Sequence, residues 1–250
     1  MKLKFFSVIL LFLSVTVFSQ NISADELFTK ANQAYITGKY LEAKDYYEKL
    51  LNDFNMDNYA VNYNLGCCCY KLHQLGYARF YLEKAFLFQP QNEDLKNSMN
   101  ILLEEIGKKN GYAEEDEFAI KRMLLFIPPV TVFVIFCVFF ALMIFFMFLF
   151  IKKSSRMCFT LSITTFICTV FLFTFAVVQH NTINDNCAIV VEDTNVYLSA
   201  DNSTPISSIN EGKKVRILEN SEENYLMIKL SNNTNGWLKK ESLLLIRWKW

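Results

Sequence analysis

The chain is short of the residues that carry out chemistry. It has only two histidines, His73 and His180, in different segments, so a catalytic or zinc site built on histidine finds no second ligand nearby. No phosphate-binding glycine loop, nucleophile elbow or HExxH occurs. Neither charge is in excess: 25 lysines and arginines balance 25 aspartates and glutamates, and without a basic surplus nucleic acid is not expected as a partner. The seven cysteines form no paired framework and no metal-ligand spacing. Cys67, Cys68 and Cys69 are consecutive, so on a helix they point about 100 degrees apart and cannot bridge one another. Together these absences argue against an enzyme and leave no metal or cofactor to expect.

What the chain has in quantity is apolar surface: 52% of it is hydrophobic, with 24 phenylalanines and a mean hydropathy of +0.18. That composition points to membrane segments. Residues 1–19 carry Lys2 and Lys4, then a 14-residue apolar run from Phe5 to Phe18, then small Ser19. This is the layout of a secretory signal peptide cut between Ser19 and Gln20. An uncleaved anchor is the rival reading, but the run falls short of the roughly 20 residues that cross a bilayer. Two charge-free runs are long enough to span, Ile127 to Ile151 and Met157 to Val178. The link 152–156 holds Lys152, Lys153 and Arg156 and is cytoplasmic by the positive-inside rule. Residues 20–126 and 179–250 then lie outside the cytoplasm.

The first exported segment repeats itself. Ala24 to Asp57 places Leu27, Ala31, Tyr35, Gly38, Tyr40, Ala43 and Tyr47 in series; Tyr59 to Asn92 places Leu65, Gly66, Tyr70, Leu75, Ala78, Leu82, Ala85 and Pro90. Ala43 and Ala78 are 35 residues apart. Small residues sit where helices approach closely, Gly38 suits a turn, and Pro90 ends a helix. The pattern resembles the tetratricopeptide repeat. Lys30 and Asn62 stand where that repeat has bulkier apolar residues. Leu95, Met99, Leu102, Leu103 and Ile106 predict a capping helix over 93–106, completing an all-α domain at 20–107, and 108–126 reads as a polar linker around Glu114, Glu115, Asp116 and Glu117. The resemblance implies peptide or helix binding on the first helix of each pair, at Phe28, Asn32, Tyr35 and Ile36, and at Tyr63, Asn64, Cys67, Tyr70 and Lys71. Asn32 and Asn64 resemble the asparagines that hold a peptide backbone, whereas Phe28 and Asp94 stand where carboxylate-binding members carry lysine. Packing between helices is the plain alternative for each tyrosine. Cys67 is a candidate reactive thiol.

From Cys187 the periodicity becomes strand-like. Five short runs, Ala188 to Val191, Asn195 to Leu198, Lys213 to Leu218, Tyr225 to Leu230 and Gly236 to Leu238, are separated by polar turns. Their order, with Glu211-Gly212 before a Lys-Lys-Val-Arg-Ile-Leu strand and Gly236-Trp237-Leu238 late, resembles a bacterial SH3 domain over 187–246. An all-β SH3-like barrel follows, with Trp237 as candidate contact and peptidoglycan peptides as an alternative ligand. Residues 246–250 alternate aromatic and basic side chains, suiting a bilayer surface or a final frayed strand.

The order of signal peptide, two repeats with cap, two-helix transmembrane hairpin and SH3-like domain resembles the BatE-like proteins of bacterial aerotolerance operons across the whole chain. The resemblance implies a multidomain inner-membrane protein, two-pass, with periplasmic N- and C-terminal domains. It also implies partners among membrane proteins with von Willebrand factor A domains and other Bat-type proteins.

Overall fold

A computed structural model describes residues 23–110, 123–183, 186–199, 204–221, 224–229 and 235–246. The expected cleavage pair Ser19 and Gln20, the acidic run 114–117 and the segment 247–250 lie outside them. The chain divides into two compact units, Met1–Met56 and Asp57–Trp250.

In the first unit, Ser23 starts helix α1 (Ala24–Ile36) by accepting the Glu26 amide on Oγ at 3.2 Å, with Asp25 and Glu26 in the first turn. A turn with Gly38 at φ +79 leads into α2 (Tyr40–Asn52). Leu27, Ala31, Ala43, Tyr47 and Leu50 are buried, while Lys30 sits on the outer face paired with Glu26 at 2.8 Å. The departure at Lys30 is thus a solvated position.

The second unit begins with a matching pair, α3 (Tyr59–Lys71) and α4 (Leu75–Phe88). His73 adopts φ +58, 35 residues after Gly38, so the same left-handed turn recurs with a residue that tolerates it less well. A Cβ on Gly66 would lie 2.8 Å from the Leu82 side chain, which is why the position is small. Asn62, fully buried, donates to Asp57 Oδ1 and to the Asn58 carbonyl, each at 2.8 Å, while Asn58 caps α3 by accepting the Val61 amide at 3.0 Å. It serves the helix start, which explains a polar residue there. Helix α5 (Glu93–Asn110) buries Leu95, Met99, Leu102 and Ile106 and runs four residues beyond the expected cap, so the linker begins later than 108.

Among the described residues, two helices are long and apolar enough to cross a membrane: α6 (Pro129–Lys153) and α7 (Arg156–Ile183). Compared with the expected spans, α6 starts two residues later because Pro129 takes the first helical position, where its missing N–H costs nothing. Ring pairs Phe136–Phe173 at 6.1 Å and Phe150–Phe159 at 5.1 Å set an antiparallel hairpin. Near its open end, buried Gln179 donates to the carbonyls of Leu124 at 2.6 Å and Ile127 at 2.9 Å.

Among the described residues, the remainder forms an antiparallel sheet of seven strands rather than five. They are β1 (Cys187–Val190), β2 (Thr194–Tyr197), β3 (Pro205–Ile209), β4 (Lys214–Ser221), β5 (Tyr225–Lys229), β6 (Asn235–Lys239) and, after a 3-10 turn, β7 (Leu243–Ile246), in spatial order β3-β2-β6-β5-β4-β1-β7. Strands β3 and β7 escaped the sequence because Pro205 to Ser208 is exposed and polar-rich and because Leu243 to Ile246 lacks alternation. Ala188, Val190, Val196, Ile209, Val215, Ile228, Leu238 and Leu243 form the core, with Ile217 and Leu226 against it. The two-residue strand period then turns Tyr225, Met227 and Trp237 outward. Cys187 is the buried first residue of β1.

Candidate functional site

Three surfaces hold the side chains that bear on function. In the first unit, the residues expected to bind a partner are bound up with their own hairpin. The Tyr47 hydroxyl donates to Asn32 Oδ1, Phe28 meets the Tyr47 ring edge-on at 5.9 Å, and Tyr35 meets Tyr40 at 5.3 Å. All three expected contacts are half-buried, and Ile36 is 77% exposed. Asn32 therefore fixes α1 to α2, a role that its spacing alone did not disclose.

In the second unit, α5 lies against α3 at the repeat interval: Tyr63 OH and Ser98 Oγ, 35 residues apart, share a hydrogen bond of 3.0 Å, and Tyr70 hydrogen-bonds Glu105. Tyr59 and Tyr63 stack at 5.5 Å, and Lys71 Nζ lies 6.0 Å from the Tyr70 ring centroid. Tyr63, Asn64, Cys67 and Tyr70 are half-buried and Lys71 is exposed. Burial pushes the Tyr59 hydroxyl up to about 12, helped by Tyr63, Asp94 and Cys67, and raises Tyr63 against the opposing Ser98 bond. Tyr70 is raised first by its bond to Glu105 and then by burial. Burial also raises the Cys67 thiol, which outweighs the Tyr63 hydrogen bond and the charge of Lys71 that favour thiolate. A reactive cysteine needs the opposite shift, so burial weighs against the thiol reading of Cys67.

Trp237 lies on the outward face of β6, opposite Tyr197 on β2 and Met227 on β5, and is half-buried. Tyr197 and Tyr225 meet edge-on at 5.8 Å. Beside them an open cavity of about 600 Å³ is lined by Asn224, Tyr225, Lys239, Lys240 and Glu241. The aromatic groups and the cavity make this a candidate ligand face.

The third surface is a joint between α4 and the sheet, and the sequence reading missed it. A Cβ on Gly76 would stand 2.6 Å from both the Val190 carbonyl oxygen and the Val191 Cα, so only glycine lets α4 rest on this backbone. Arg79, 4% exposed, donates from Nη1 to the Gly212 carbonyl at 2.6 Å. Lys214 Nζ donates to both oxygens of buried Glu83 at 3.1 and 3.2 Å. The turn at Glu211 and Gly212, the latter at φ +82, reaches α5: Lys109 Nζ donates to Glu211 Oε1 at 2.6 Å, and a Cβ on Gly212 would meet Ile106 Cδ1 at 2.8 Å. Glu211 holds the Lys109 ammonium above its ordinary range. One signal for the joint was present in the sequence. Helix α4, from Leu75 to Phe88, carries apolar or aromatic residues on nearly every face, and such a helix needs a layer on both sides.

No family model and no curated protein matches the chain. Among the described residues no group of three or more histidines, cysteines or acids is placed to hold a metal ion.

Proposed function

We propose that the chain is a non-enzymatic, membrane-anchored scaffold whose helical pairs are tetratricopeptide repeats that hold partner proteins outside the cytoplasm. Its two long apolar helices form a two-pass anchor in a bacterial inner membrane, with the helical and SH3-like domains both periplasmic. The observation that carries this reading is the joint. α4 and α5 touch the sheet that follows the hairpin, which agrees with these helices and the sheet sharing one side of a membrane that the hairpin crosses twice. Lys152, Lys153 and Arg156 at the tip of the hairpin favour the cytoplasm for the other side. By resemblance, the partners are von Willebrand factor A-domain membrane proteins and other Bat-type proteins of an aerotolerance or envelope-stress complex.

The test is a membrane pull-down of the full-length protein in mild detergent with identification by mass spectrometry. Recovery of such membrane proteins, lost with Tyr35→Ala plus Tyr70→Ala while the fold persists, is the expected result. Retained recovery in that variant removes the helical face from the reading. A second reading, a cell-wall peptide-binding module, is favoured by the half-exposed Tyr197, Tyr225 and Trp237 beside the cavity. Sedimentation of the full-length protein with purified wall, lost in Trp237→Ala, would support it over the first.

A further inference from the structure

The binding face of the second helical pair has a chemical character that narrows what it takes. On α3, Tyr59, Tyr63, Cys67 and Tyr70 recur at helical spacing, and on α5 so do Asp94, Ser98, Ile101 and Glu105. The stripes run side by side, tied by Tyr63 to Ser98 and by Tyr70 to Glu105. The tyrosines are half-buried, with Tyr59 and Tyr63 stacked on one another, while Asp94 is exposed and Ile101 is 54% exposed. The cations nearby are engaged with this same face: Lys71 beside the Tyr70 ring, Lys108 on Glu104 at 2.6 Å, and His73 Nδ1 3.9 Å from Glu105.

We infer that this face docks a basic segment of the partner, with lysine or arginine set over the tyrosine rings and against Asp94 and Glu105, and an apolar side chain on Ile101. The inference rests on the scaffold reading and adds the chemistry of the occupant. Ring faces carry partial negative charge and attract a cation within about 6 Å of the centroid. Carboxylates at both ends of the stripe act in the same direction. An acidic segment would meet three carboxylates, Asp94, Glu104 and Glu105, against two lysines, Lys71 and Lys108, with His73 adding charge only when protonated.

Two fluorescein-labelled amphipathic 15-residue peptides of one leucine-alanine pattern, one bearing lysines and the other glutamates, serve as probes. They are titrated by anisotropy into the full-length protein in phosphatidylcholine nanodiscs, with empty discs as control. The lysine peptide is expected to bind roughly ten-fold tighter or more at low salt, and Asp94→Asn with Glu105→Gln to weaken it about five-fold. Equal binding, preference for the glutamate peptide, or no binding of either overturns the inference. A photo-crosslinking residue at position 101 in whole membranes separates the two layers of the argument. A crosslink to a basic segment of another protein supports both. A crosslink to a neutral or acidic segment, or to a second copy of this chain, overturns the basic occupant while leaving position 101 a protein-binding surface. Absence of any crosslink together with absence of peptide binding overturns both.

Discussion

Replacing Gly76 by alanine isolates the joint between α4 and the sheet. On an exposed helix this change would stabilise, since alanine exceeds glycine in helix propensity by about 1 kcal/mol. Here the added methyl would stand 2.6 Å from two backbone atoms of Val190 and Val191, and backbone cannot swing aside as a side-chain end can. Overpacking of this kind costs about 1–3 kcal/mol. The net effect is a loss of up to about 2 kcal/mol in docking, or up to about 30-fold in the docked-to-open ratio. The assay uses the contact between Lys109 and Glu211, 2.6 Å apart, which a carbodiimide should join as an amide in the full-length protein. Wild type should yield a 109–211 crosslinked peptide by mass spectrometry, and Gly76→Ala should yield much less while the helices keep their circular dichroism. An undiminished crosslink in Gly76→Ala, with unchanged or raised melting temperature, would refute the close approach on which the joint depends.

Three further outcomes follow from the same geometry. Lys214→Met leaves Glu83 buried without its closest cation and should cost about 3–5 kcal/mol in denaturant unfolding; adding Glu83→Gln should recover part of that loss, and a fully additive double mutant would contradict the pairing. His73→Gly relieves a left-handed backbone at φ +58 and should stabilise the second unit by up to about 1 kcal/mol; a lower melting temperature would contradict it. Because burial favours the neutral thiol, Cys67 should resist iodoacetamide at pH 7 and label only as pH rises past the ordinary thiol range of about 8.5, with peptide mass mapping as the readout. Labelling at neutral pH as fast as a free thiol would restore the reactive reading.

Most element types were legible because local periodicity encodes them. Ala31, Gly66, Ala43 and Ala78 recur where helices approach, and all four are buried. The two charge-free runs became α6 and α7 because nothing within them interrupts a helix and Pro129 marks the start of the first. The sheet was under-counted because β3 has an exposed face and β7 is apolar without alternation, so neither shows the two-residue period. The candidate site was only half legible. Spacing placed Tyr63, Asn64, Tyr70 and Lys71 on one helix face, but not the Tyr47 bond that occupies Asn32.

By itself, then, the sequence determined which side chains leave water and at what period, and from that the helical pairs, the two long apolar helices and a β-rich remainder. Tertiary structure alone decided what those faces are buried against. The bond from Arg79 to Gly212 spans 133 residues and the pair of Glu83 with Lys214 spans 131. An apolar stripe or a buried charge announces that it needs a partner, but hydrophobic burial is non-directional and carries no address. The address came from shape: a glycine that lets two backbones touch, and a turn at Glu211 and Gly212 narrow enough to reach both α4 and α5.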